Sequence, residues 1–416
     1  MVIYLAMYRV VITGIGAVTP IGNTFRKSWQ AAIGGRSGLA PVTRFDAADI
    51  PWKIAGELKG FDPCAFLGQK EVLRTDPFVH YAVAAAMMAV QDAGWPITDK
   101  SLRSPLSAGG VIIGSSRGGV GTIEKAISGS LIRKSRLSAY LMSSTTVSMA
   151  PSYISQKLGI QGYCLGVSNA CASGANAIGE AYMLIKSGYR APVIAGGTEA
   201  PLCRLCVAGY GAAGALSRMT DVSASRPFDR KRDGFVLSEG ACVLILEEAG
   251  SALARKANIY AEIVGYGNTA DAFHQTKPDS RGQMRAMRAA MEGAGLSAEE
   301  VDYISAHGTS TPLGDRSETE AIEGILGKRT PEVPVSALKS MTGHMLAASG
   351  ALETAFTAMS VKEGTVPPTI NLIQKDHDCS LNIITEASKI DPGTALSNAF
   401  GFGGVNAVIA IRRFRG

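Results

Sequence analysis

One cysteine in this 416-residue chain heads a run of very small side chains. Gly166 to Ala181 reads "GVSNACASGANAIGEA", with the thiol at Cys171. A core cysteine is usually walled in by large aliphatics. One ringed by Ala, Ser and Gly marks either a close crossing of two elements or a sulfur that a reactant must reach. The preceding "CLGVSNA" has the character of a strand end, so Cys171 is expected to open a helix. A thiol there faces unpaired N–H groups at the positive end of the helix dipole, and both favour the nucleophilic thiolate.

Two further segments bring imidazoles. "YISAHGTSTPLGD" sets His307 just past a short strand, in a loop of Gly and hydroxyl residues, and "SALKSMTGHMLAASGA" sets Lys339 and His344 before a second small-residue run. Cysteine with two histidines has three readings. A metal site is one, although no pair here has the short spacing of adjacent ligands, and no metal is expected. A Cys–His hydrolase is another, which needs only one histidine as base. The third is carbon–carbon chemistry on thioesters, with the acyl group on sulfur and two imidazoles stabilising an enolate oxygen.

Strand-like runs ("RVVITG", "GGVIIGSS", "APVIAGG", "GACVLILEE", "AVIAIRRF") alternate with helix-length segments such as "DPFVHYAVAAAMMAVQDAG", which indicates an α/β protein with largely buried sheets. "CASGANAIGEAYMLIKSG" (171–188) aligns without gaps on "AASGALETAFTAMSVKEG" (347–364), an offset of 176. Such a duplication implies two related halves with a small-residue helix in each, expected at 1–257 with the cysteine and 258–416 with both histidines. The thiol exists in one half only, with Ala347 at its mirror position, so the scaffold does not need it.

Other signals carry less. "CRLC" at 203–206 has redox spacing but no partner pair, and its setting does not read as a strand-to-helix turn. "GIGAVTPIG" lacks the third glycine of a dinucleotide fingerprint. "RPFDRKRDGFV" (226–236) reads as a solvated charged loop.

Hydrophobic residues make up 46 % and charged residues 18 % of the chain, an ordinary globular composition. The net charge of +6 is mild and dispersed, with no basic–aromatic run, so no nucleic-acid partner is expected; an acidic protein partner suits it better. Seven scattered cysteines read as reduced thiols of a cytoplasmic compartment. "MVIYLAM" lacks a basic region and a cleavage site, and no apolar run reaches the length of a membrane span.

In combination, these motifs resemble the β-ketoacyl–acyl-carrier-protein synthases, synthase II above all. Cys171 with Ala172, Ser173 and Gly174, then "AHGTSTPLGD", "KSMTGH" and "FGFGG", follow in the family's order, alongside "RPFDRKRDGFV" and "VPPTINL". The resemblance implies a thiolase-type fold, two pseudo-symmetric halves in five α-β-α-β-α layers, and a homodimer. It implies a decarboxylating condensation in fatty-acid elongation, with no bound cofactor and with substrates on the phosphopantetheine of acyl carrier protein.

Residue by residue, the resemblance makes Cys171 the nucleophile. His307 and His344 hold the malonyl thioester oxygen, and Lys339 orients them with Glu353 and Asp315 behind. The N–H groups of Cys171 and Phe402 form the oxyanion hole, and Thr309 and Thr311 meet the pantetheine. Lys70, Arg74, Arg133 and Lys134 form the carrier-docking rim; Leu73 replaces one basic position, which either weakens the rim or shifts it towards Arg136. Arg117, in "GSSRGG", takes the place of an aliphatic gate of the acyl pocket, with Phe402, Leu141 and Met142 as the other gate residues.

Three rivals accompany this reading: a ketosynthase of a specialised pathway, a non-catalytic chain-length partner, which Cys171 disfavours, and a thiolase, whose second cysteine "FGFGG" does not offer.

Overall fold

The computed structural model describes residues 7–97 and 105–416. Residues 1–6, most of the opening segment read above as carrying no leader, lie outside the described residues.

Ten strands carry the architecture. The first five are β1 (Val10–Val18), β2 (Gly110–Gly114), β3 (Cys164–Val167), β4 (Val193–Glu199) and β5 (Gly240–Glu248). The second five are β6 (Ala261–Ala270), β7 (Tyr303–Ser305), β8 (Pro334–Ser336), β9 (Thr394–Gly401) and β10 (Val405–Arg412). Their spatial orders are β3-β2-β4-β5-β1 and β8-β7-β9-β10-β6. Directions repeat as well. β2 is parallel to β3 and β4 while β5 is antiparallel to its neighbours, and β7 and β10 do the same in the second half. The duplication read at an offset of 176 is therefore a duplication of topology.

The two sheets meet edge to edge through three residue pairs, from Val10↔Ile263 to Ile12↔Ala261. With a two-residue strand at 382–383 on the outer edge, they form one continuous sheet of 11 strands.

Six helices complete the layers: α1 (Pro77–Asp92), α2 (Met149–Leu158), α3 (Ser173–Lys186), α4 (Ser280–Ala294), α5 (Pro312–Leu326) and α6 (Ala347–Glu363). α1 and α2 cover the outer face of the first sheet, and α4, with α5 packed on it, covers that of the second. α3 and α6 pack on each other between the sheets, which makes the five-layered arrangement of a thiolase-type fold. Separate apolar clusters fill the two outer interfaces, and a third, shared one fills the centre.

Local chemistry explains the tight layering. Asp76 caps α1, accepting from Phe78 N at 3.0 Å, and Pro77 supplies a preset first helical residue. Its alanine face lies flush on β1, because a Cβ at Gly16 would stand 2.0 Å from the Ala85 carbonyl. β5 is buried along all nine residues, as a strand covered on both faces must be.

One expectation fails here. "RPFDRKRDGFV" is not a solvated loop: Arg226, Phe228, Asp229 and Arg232 are buried. Arg226 pairs with Asp229 at 3.1 Å, and Arg232 reaches Asp376 at 2.5 Å and Asp315 at 3.5 Å. Asp229 also accepts from the N–H groups of Lys231, Ile373 and Gln374. The charges neutralise one another inside the fold, so a local charge count misread the segment.

Candidate active site

α3 and α6 cross almost in contact at their first turns. A Cβ on Gly174 would sit 2.1 Å from the Ala347 carbonyl, so the small residues around Cys171 are required by the crossing itself. Each helix is entered through a non-glycine residue in the left-handed region, Ala170 (φ 48°) and Leu346 (φ 44°), which are 176 positions apart. Ser173 Oγ accepts from Asn169 N at 2.7 Å, and Ser349 Oγ accepts from Met345 N at 2.9 Å. The same strained entry is thus locked by the same hydroxyl in both halves.

Cys171 sits two residues before α3, buried in a cluster with Leu346 and Phe402. The thiolate preference expected from its position is overturned. Burial pushes the thiol up to about 11, against the opposing pull of Lys339 and of the Phe402 N–H group. Loss of solvation outweighs the few unpaired N–H groups, so the resting form is the thiol. Phe402 lies in the β9–β10 turn, and its backbone N–H faces the sulfur.

His307 and His344 approach edge to face, ring centres 5.3 Å apart. Burial and the neighbouring Lys339 hold both imidazoles well below their ordinary value, so both are neutral. Lys339 Nζ lies 3.1 Å from His307 Nδ1, 2.5 Å from the His307 carbonyl and 2.5 Å from Glu353 Oε1. A lysine Nζ donates, so His307 Nδ1 accepts and its proton resides on Nε2. Ser349 Oγ, which already accepts from Met345 N, stands 3.2 Å from His344 Nδ1 and is placed to donate to it. With the hydroxyl donating in this way, His344 carries its proton on Nε2, as His307 does.

Glu318 was missed in the sequence. It accepts from His307 N and Gly308 N, both at 2.8 Å, and from Asn398 at 3.0 Å, thereby fixing the histidine loop. A carboxylate that acts through main-chain N–H groups leaves no motif of its own. Asp315 was expected behind Lys339 and is not there. It accepts from Ser310 N and Phe228 N, and so joins the same loop to the buried charged segment.

A cavity of about 400 Å³ opens over these groups, lined by Cys171, His307, His344 and Phe402. Thr309 and Thr311 line it too, with hydroxyls 2.9 Å apart. Tyr210 and Lys277 are wall residues that the sequence did not single out. Of the four gate residues only Phe402 lines this cavity. Arg117 is exposed, its guanidinium 5.6 Å from the Tyr210 ring centre, while Met142 is exposed and Leu141 half-buried, away from the cavity wall. An exposed cation keeps its hydration, which a tunnel position would remove.

Lys70, Arg74 and Lys134 are all exposed, as is Leu73 between the first two. Arg74 lies over the Tyr140 ring at 4.8 Å, which brings the 69–74 helix against the segment that follows Lys134 and Arg136. The Arg133 side chain lies outside the described residues. None of the described helices is long and apolar enough to cross a membrane.

Two duplicated halves with a buried cysteine at the head of one central helix, and two neutral imidazoles lining the same cavity, define a thiolase-type condensing enzyme, an acyltransferase. The sequence matches the models "Beta-ketoacyl synthase, N-terminal domain" over residues 7–252 and "Beta-ketoacyl synthase, C-terminal domain" over 260–373. The chain belongs to the β-ketoacyl synthase family. It is 45 % identical over 413 residues, 98 % of each chain, to the 3-oxoacyl-[acyl-carrier-protein] synthase 2 of Synechocystis sp.. It is also similar to the solved ishigamide ketosynthase/chain length factor, with a TM-score of 0.92, 34 % identity, and coverage of 99 % of this chain and 100 % of that one. A type II PKS ketosynthase solved in complex with its acyl-carrier protein has a TM-score of 0.89 and 31 % identity, over 98 % of this chain and 100 % of that one.

Proposed function

We propose that this chain condenses an acyl group held on Cys171 with malonyl-acyl-carrier-protein, releasing carbon dioxide and 3-oxoacyl-acyl-carrier-protein in fatty-acid elongation. The observation that carries the reading is the pairing of one buried thiol with two neutral, Nε2-protonated imidazoles on a single cavity.

In the first step the Cys171 sulfur attacks the thioester carbonyl of the acyl carrier. Its proton leaves for the pantetheine thiolate, which departs as the thiol. The N–H groups of Cys171 and Phe402 hold the tetrahedral oxyanion. The raised thiol pKa means that ionisation accompanies attack.

In the second step the malonyl carboxylate leaves as carbon dioxide, and its electron pair moves into the thioester oxygen. Two Nε2–H donors stabilise that enolate, so no strong base is required. The enolate carbon then attacks the acyl-cysteine, and collapse of the oxyanion returns the sulfur, which regains a proton. Holding the acyl group covalently makes this attack effectively intramolecular.

Substrates arrive on the phosphopantetheine of an acidic carrier, no resident cofactor takes part, and Lys70, Arg74, Arg133, Lys134 and Arg136 offer the basic docking rim. We place the enzyme in the cytoplasm as a homodimer, in which a second copy covers exposed apolar side chains such as Leu137, Tyr140 and Met142. The likeness to the ishigamide ketosynthase favours a specialised pathway as the second reading.

The test is intact-mass detection of acyl-enzyme after incubation with carriers charged from C2 to C18, followed by malonyl carrier. Acylation at Cys171 and a 3-oxoacyl product two carbons longer are expected. Acyl-enzyme that malonyl carrier fails to discharge overturns the reading.

A further inference from the structure

The sequence set "CRLC" aside because its setting did not read as a strand leading into a helix. The structure contradicts that. β4 ends at Glu199, four residues later Cys203 caps the helix Arg204–Ala212, and Cys206 occupies the third position of that helix. Val207 N donates to the Cys203 carbonyl at 3.1 Å, which closes the first turn around the two cysteines.

Residues three apart on a helical turn have Cα atoms about 5 Å apart, inside the Cα separations of about 4.4–6.8 Å that disulfides span, so a bridge needs the two Cβ atoms drawn together and little movement of the backbone. Both are free thiols, close enough for each to act on the other's ionisation. That contact lowers Cys203 below the usual thiol value, while the same contact and burial raise Cys206. Two carboxylates and one guanidinium act on the pair. Glu124 accepts from Leu205 N at 2.5 Å beside Cys203, and Glu199 and Arg117 act on Cys206. Both thiols are buried, each 7 % exposed, and the Cys203 Cβ lies beside Gly121, so the exchange enters through an opening of this first helical turn.

We propose that Cys203 and Cys206 form a reversible disulfide by exchange with a low-molecular-weight disulfide. The Cys203 thiolate attacks one sulfur of the reagent RS–SR, forming a mixed disulfide and expelling RS⁻. Cys206 loses its proton and attacks the Cys203 sulfur, releasing the second RS⁻. The two cysteines are oxidised, one RS–SR is reduced, and two RSH leave. The bridge would fix the first turn of the helix that carries Tyr210 into the wall of the catalytic cavity, and it uses neither Cys171 nor its proton.

The experiment takes the full-length chain in Cys171→Ala form, so that the catalytic thiol does not react, and equilibrates it with graded ratios of oxidised to reduced glutathione. Acid quenching, alkylation and tryptic mass analysis follow. Expected are the loss of two alkylation sites and tryptic peptides that are cut after Arg204 yet still joined, both reversed by dithiothreitol. Cys206→Ser should instead accumulate one glutathione adduct on Cys203, and Cys203→Ser should form no bridge. Full alkylation of both cysteines of the folded protein at the most oxidising ratio overturns the proposal. So does a glutathione adduct that persists on Cys203 while Cys206 is present.

Discussion

The first turns of α3 and α6 are the same device with different contents. Both follow a left-handed non-glycine residue, both are locked by a serine hydroxyl, and both have glycine at the crossing, Gly174 and Gly350. At the mirror positions the first half has Ser168 and Cys171 where the second has His344 and Ala347. The same rigid, strained frame thus occurs twice, and the proposed mechanism divides its chemistry between the two copies. In that mechanism one helix presents the nucleophile that holds the acyl group, and the other an imidazole on the same cavity. Because the frame is complete without either side chain, the two functions should be separable by substitution.

The largest effect is expected at the nucleophile. Cys171→Ala should abolish acyl-enzyme and condensation, a loss on the order of 10⁴-fold or more, since no second thiol lines the cavity. Thermal unfolding should stay close to wild type, because Ala347 occupies the equivalent place in the other half. Condensation retained in that variant would remove the asymmetry altogether.

Next comes the ion pair that holds Lys339 against His307. Lys339→Ala leaves the Glu353 carboxyl buried without its 2.5 Å partner and should cost about 3–5 kcal/mol in urea unfolding. The Lys339→Ala/Glu353→Ala pair should recover part of that loss, and strict additivity would mean the two residues do not act as a unit.

A smaller effect concerns the resting thiol. With the value raised to about 11, the thiolate fraction climbs as pH rises and does not level off near the usual thiol value. Iodoacetamide should therefore label Cys171 about tenfold faster per pH unit from 7 to 9. A rate that levels off below pH 8 would restore the thiolate preference expected from the helix terminus.

The smallest effect is expected at Arg117. An exposed guanidinium over the Tyr210 ring contributes about 0.5–1 kcal/mol, so Arg117→Ile should change relative C4 and C16 loading by less than about fivefold. A larger swing towards long chains would put Arg117 back in the acyl path as a gate.

Much of this was legible in the sequence, for identifiable reasons. β1, β5, α1 and the small-residue pair α3/α6 follow from apolar runs, capping residues and internal repetition, which are local signals. Cys171, His307, Lys339 and His344 could be found because their neighbours are unusual. Glu318 and Ser349 could not, since each acts by orienting another residue through bonds that only the fold creates. The buried Arg226–Arg232 segment was misread because the counter-charges of Arg232, Asp315 and Asp376, lie 83 or more residues further along. "CRLC" was misplaced because four irregular residues separate its helix from β4.

The division of labour between the halves is tested most directly by measuring both half-reactions on Cys171→Ala and His344→Ala. One assay follows carbon dioxide release from malonyl carrier, and the other follows acyl transfer to the enzyme. The expected pattern is crossed. Cys171→Ala releases carbon dioxide but accepts no acyl group, whereas His344→Ala accepts the acyl group while carbon dioxide release falls on the order of 10²–10³-fold. If each substitution depresses both half-reactions equally, the two helices do not divide the chemistry and the account is wrong.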